Sequence, residues 1–173
     1  MVSAAPPTDA ELIRAARRLG TSLRARSLRL ATAESATGGL IGHLVTQLPG
    51  ASDYYVGGVV AYADDVKGAL LDVPADLLAA HGAVSAEVAE AMASGALGRL
   101  AAADVAVAVT GIAGPDGGSE AKPVGLTFVA VAERGTGARA IARRVWPHDR
   151  DGNKRAAALE AMRLATRSST ERR

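Results

Sequence analysis

A chain of 173 residues, 49% hydrophobic and 22% charged, suits one folded domain and not a disordered tract. It has no cysteine, no apolar run of membrane-spanning length and no basic-then-apolar leader in Met1–Pro7, which argues against disulfides, thiolate metal sites, a membrane span and a secretory signal, and makes the cytoplasm the expected location. The net charge is only +2, and arginines scattered along the chain beside one Trp, one Phe and three Tyr do not compose a basic groove with stacking aromatics, so no nucleic-acid partner is expected.

In chain order, Thr8-Asp9-Ala10-Glu11 is a capping box, and Leu12, Ala16, Leu19 and Leu23 then form the apolar stripe of a helix. Leu28 to Ala33 reads as a short strand. Leu40, Ile41, Leu44, Val45 and Leu48 recur at helical spacing until Pro49-Gly50. Tyr54 to Tyr62 reads as a second strand, followed by a short helix from Asp64 to Leu71 and another from Pro74 to His81. Ser85 caps a longer helix with Val88, Ala89, Met92, Ala96, Leu97 and Leu100 inward. Val105 to Val109 is a continuous apolar run, the pattern of a strand covered on both faces. Val124 to Val131 is the next strand, and Gly135-Thr136-Gly137 turns it into a hairpin with Ala138 to Trp146. A last helix runs from Asp151 to Arg167, with Leu159, Met162 and Ala165 inward. This order predicts a single-domain, three-layer α/β/α sandwich around a mixed sheet of about five strands. It spans residues 1–173, with flexible ends at 1–7 and 168–173.

The stretch Ala33-Glu34-Ser35-Ala36-Thr37-Gly38-Gly39 sits where a strand hands over to a helix. Strand ends of α/β sheets hold ligands, and helix N-termini offer N–H groups. Ser35 is there a helix cap, a ligand hook or a nucleophile. Lysine is scarce beside 17 arginines: only Lys67, Lys122 and Lys154 occur. Where arginine is so preferred, a retained lysine can serve for its deprotonatable head. Lys67, five residues after Tyr62, is either such a group or a solvated side chain on a short helix. The glycine-rich loop from Thr110 to Ser119 is an anion nest or a surface connection. The three histidines, His43, His81 and His148, lack zinc spacing, and the serine lies outside a Gly-x-Ser-x-Gly elbow.

Together, Ala33 to Gly39, Gly57-Gly58-Val59-Val60-Ala61-Tyr62 with Lys67, His81-Gly82-Ala83-Val84-Ser85, and Val109 to Pro115 through Lys122-Pro123-Val124-Gly125 resemble the CinA C-terminal domain family over roughly Leu12 to Ala165. The chain looks like a stand-alone member. The resemblance implies a nicotinamide-nucleotide amidase, which converts nicotinamide mononucleotide and water to nicotinate mononucleotide and ammonia in pyridine nucleotide recycling. It implies neither a metal nor an organic cofactor. Carried over by residue, Ser35 is the nucleophile, with Tyr62 and Lys67 activating it and moving protons. Backbone N–H groups near Thr37, Gly38 and Gly39 are expected to hold the oxyanion. Thr110, Gly111 and the loop of Gly114, Gly117, Gly118 and Ser119 are expected to hold the nucleotide, with Arg150 on its phosphate. Three positions depart from the family pattern: Ala36 stands for a common cysteine, Asp116 for a frequent glycine, and His148 for the glycine before Asp149-Arg150. The competing expectation is a non-catalytic nucleotide-sensing or protein-interaction module of the competence/damage-inducible type. A homodimer is the expected assembly.

Overall fold

The computed structural model describes residues 5–135 and 139–170, the side chains of 139, 169 and 170 excepted. Thr8 caps α1 (Asp9–Ala25) through the full capping box with Glu11. There follow β1 (Leu30–Glu34), α2 (Leu40–Thr46), a single 3-10 turn (Ala51–Asp53), β2 (Tyr55–Val60), α3 (Asp64–Leu71), α4 (Ala75–His81) and α5 (Ala86–Arg99, capped by Ser85). The chain closes with β3 (Val105–Gly111), β4 (Leu126–Glu133), β5 (Arg139–Val145) and α6 (Arg150–Thr170). Among the described residues no helix is long and apolar enough to cross a membrane.

The sheet has five strands in the order β2-β1-β3-β4-β5. The first three are parallel, and β4 and β5 run antiparallel to their neighbours. The expected mixed three-layer sandwich is therefore the observed one. The hairpin residues Thr136 and Gly137 lie outside the described residues. The strand starts differ from the sequence reading. The chain closes α1 by folding Leu28 N–H onto Leu23 O at 2.9 Å, so β1 begins only at Leu30. Gly125, at φ +88°, turns the chain into β4, which starts at Leu126.

β3 explains the layering. Val105, Val107 and Val109 face one core with α1, α2 and α6, whereas Ala106 and Ala108 face a second core with α5. Both faces are buried, as a continuous apolar run requires. Alanine on the second face lets α5 lie close, and α5 in turn meets α3 at Gly95. A Cβ there would sit 1.8 Å from the Leu71 carbonyl oxygen. Gly95→Ala is therefore expected to destabilise the domain by at least ~2 kcal/mol, because backbone has to move to admit one methyl. A urea midpoint equal to wild type would contradict this contact.

Candidate active site

The chain crosses from β1 to β2 on one side and returns to β3 on the other, so the sheet order reverses between β1 and β3. The crevice beyond the carboxyl ends at such a reversal is where α/β sheets take ligands. Ser35 stands there. Its N–H continues the ladder onto Val109 O at 3.0 Å, which fixes it against the end of β3. A cleft of about 200 Å³ at this point is lined by Ser35, Tyr62, Asp64, Lys67, Thr110 and Gly111, with Ala36, Ala83, Val84 and Ala113 completing its wall. Three strand ends thus bring Ser35, Tyr62 and Thr110 together.

Ser35 is not a helix cap. The cap position of α2 is Gly39, at φ +95°, and Gly38 before it also has positive φ, +63°. Glycine tolerates both, so the chain makes a five-residue turn that separates Ser35 from the helix. Gly39 has no side chain with which to cap, and Glu34 does that work. Its carboxylate accepts the N–H groups of Gly39 (3.1 Å), Ile41 (3.0 Å) and Gly42 (2.9 Å) and the Thr37 hydroxyl (2.8 Å), while the side chain is 1% exposed. The Gly38 N–H donates to Ser35 O at 3.0 Å. The polar groups expected from Thr37, Gly38 and Gly39 for an oxyanion are thereby engaged inside the turn, the Thr37 N–H excepted. Among the described residues, the turn's unengaged N–H groups belong to Ala36 and Thr37. No partner among the described residues binds the Ser35 hydroxyl, although Ser35 is 7% exposed.

Lys67 is buried, at 1% exposure, and not the solvated side chain of the simpler sequence reading. Its ammonium donates to Tyr62 O at 2.9 Å and to Asp64 Oδ1 at 3.1 Å. A lysine has three donors, so one remains for the cleft. The Tyr62 ring is exposed, and its hydroxyl accepts from Arg150 Nη2 at 3.1 Å. Arg150 also donates Nη1 to Gly114 O at 2.6 Å. It opens α6, where Asp149 accepts the Gly152 N–H at 2.8 Å, and Asn153 donates to Ala113 O at 3.0 Å. The start of α6 is thus tied to the loop after β3. Arg150 also lines a neighbouring hollow of about 470 Å³ with His148, Pro115 and Val124.

Thr110 donates its hydroxyl to Ala83 O at 2.7 Å and so holds the α4–α5 connection over the cleft. Gly114 lines neither hollow, and its carbonyl accepts from Arg150. Gly117, Gly118 and Ser119 line neither of them; the Ser119 N–H instead closes a local turn onto Lys122 O at 2.8 Å. The nest expected of that loop is accordingly not assembled around the cleft. Sequence reasoning missed the role of Glu34, although a carboxylate five residues before a glycine-led helix start is the available signal. It also missed Asn153, whose contact joins residues 40 apart.

Fold and site define an α/β domain with a serine and a buried lysine facing one cleft at the sheet's reversal point. The chain belongs to the CinA family: the CinA C-terminal domain model matches residues 13–168. A CinA-like protein of an Anaeromyxobacter strain is 51% identical over 142 residues, covering 82% of this chain and 34% of that protein. A CinA-like protein of a Mycobacterium strain is 51% identical over 140 residues, covering 80% of this chain and 32% of that protein. The chain thus spans about a third of the length of these curated relatives. Among solved structures, a competence/damage inducible protein from Agrobacterium tumefaciens superposes with TM-score 0.88 at 38% identity, over 96% of this chain and 99% of that one. A CinA superfamily protein from Escherichia coli gives TM-score 0.85 at 31% identity, over 94% and 93%.

Proposed function

We propose that the domain is a nicotinamide-nucleotide amidase that hydrolyses nicotinamide mononucleotide to nicotinate mononucleotide and ammonia. The observation that carries this reading is a serine hydroxyl without a partner among the described residues and a fully buried lysine in the wall of the same cleft. The Ser35 oxygen attacks the carboxamide carbon and forms a tetrahedral intermediate, while Lys67, reacting as the neutral amine, takes its proton and with Tyr62 delivers it to the leaving nitrogen. The C–N bond breaks, ammonia departs, and water cleaves the resulting ester to give the carboxylate and restore the serine. The N–H groups of Ala36 and Thr37 are the donors available to the oxyanion. The small cleft suits the ring and its carboxamide, and the adjoining hollow beside Arg150 suits the ribose phosphate. Arg150 keeps three of its five donors for that phosphate after binding Gly114 and Tyr62.

Ammonia and nicotinate mononucleotide appearing in equal amounts from purified protein and nicotinamide mononucleotide is the expected result. Binding without turnover by folded protein would turn the assignment to a nucleotide-sensing module. Turnover of other pyridine amides in preference to this one would change the substrate and keep the chemistry. Arg150→Ala is expected to raise KM for the mononucleotide by ~10–100-fold, with Arg150→Lys a poor rescue because an ammonium cannot fork. An unchanged KM would remove the phosphate from Arg150.

A further inference from the structure

The basic residues that are far apart in sequence meet in the fold. Arg14 and Arg18 stand one turn apart on α1, and Arg163 and Arg167 one turn apart on α6; all four line one groove of about 440 Å³. Like charges at this spacing repel along each helix. Among the described residues Arg14, Arg18 and Arg163 have no hydrogen bond or ion pair. Arg167 shares Glu160 with Arg144, at 3.3 and 2.9 Å. The groove's own carboxylate, Glu11, already receives the Thr8 N–H and hydroxyl at 2.8 Å each. Those hydrogen bonds hold its carboxyl below the usual range, with smaller help from Arg14 and Arg163. Among the residues lining the groove, four guanidiniums face one carboxylate, Glu11, which is already occupied.

We propose that the groove between α1 and α6 is a second binding site, for a di- or triphosphate group, free or carried on a nucleotide. The groove exceeds what a single phosphate fills, and planar guanidinium forks match phosphate oxygens. It has no aromatic platform for a single-stranded nucleic acid. Through Leu159 and Arg163 it continues into a hollow of about 390 Å³ walled by Trp146 and His148. His148 also lines the hollow beside Arg150, so the 390 Å³ hollow stands between the groove and the Arg150 hollow. The inference does not rest on the amidase reading.

Trp146 is the sole tryptophan and reports from the adjoining hollow. Its fluorescence and the melting temperature are followed while tripolyphosphate or ATP, without magnesium, is added at fixed ionic strength. Saturable binding with a midpoint below ~1 mM is expected, weakened at least ~10-fold in Arg14→Gln/Arg18→Gln and again in Arg163→Gln. Arg17→Gln, on α1 but outside the groove, is expected to bind as wild type. Tighter ATP assigns a nucleotide, and equal affinities assign the polyphosphate group itself. The glutamine variants are expected to melt no lower than wild type without ligand, since they remove like-charge pairs. Absence of saturation, equal binding by the groove variants, or a loss confined to Arg150→Ala would overturn the proposal.

Discussion

Ser35→Ala is expected to abolish hydrolysis of nicotinamide mononucleotide, lowering kcat by at least ~10³-fold, while leaving the fold intact. The two halves of this expectation come from different observations. The hydroxyl lines the cleft, so an oxygen nucleophile disappears with it. The same hydroxyl has no partner among the described residues, so its removal orphans no donor or acceptor. The stability change should then stay within ~1 kcal/mol, or about 2–4 °C in a domain of this size. Ammonia release measured beside a thermal melt reads both. Turnover that survives in a folded Ser35→Ala protein would preserve the activity and discard the serine mechanism. Loss of activity together with loss of folding would show that Ser35 has a structural duty the geometry does not reveal.

Glu34→Ala is expected to be the more damaging change for the molecule as a whole. Three helix N–H groups and the Thr37 hydroxyl converge on a carboxylate that is 1% exposed. Among the described residues no arginine or lysine pairs with it; the positive end of α2 and those donors compensate its charge. Removing the carboxylate leaves buried donors without acceptors, a loss of ~3–5 kcal/mol, or roughly 10 °C or more in melting temperature. Glu34→Gln keeps the shape but turns an NH₂ toward N–H groups, so it should recover only part of that loss. Activity should fall in Glu34→Gln through kcat more than KM, because the turn that Glu34 clasps sets the N–H groups of Ala36 and Thr37 beside Ser35. A Glu34→Ala protein that melts with wild type would show that the clasp is dispensable. A Glu34→Gln protein with unchanged kcat would separate the clasp from the chemistry.

Local patterns carried much of the architecture. The capping box at Thr8, the Asp64–Leu71 helix and the serine cap at Ser85 are visible in sequence because each is decided by residues within one or two turns. The Val105 to Val109 run announces a strand buried on both faces for the same reason. Ser35 stands out by position and Lys67 by scarcity, whereas Tyr62 enters through the family resemblance.

What their neighbourhoods are, only the tertiary structure decided. That Lys67 is buried follows from packing over the end of β2, which no spacing encodes. The Arg150 contact with Tyr62 spans 88 residues, and the Asn153 contact with Ala113 spans 40. Gly117, Gly118 and Ser119 read as a ligand loop; in the fold Ser119 closes a turn with Lys122, and none of the three lines either hollow. The arginines of α1 and α6 read in sequence as scattered along the chain. They share a groove because α1 and α6 cover the same side of the sheet. Sequence periodicity records which face of an element is buried. Which other element covers that face depends on strand order, and strand order is settled by contacts distant in the chain.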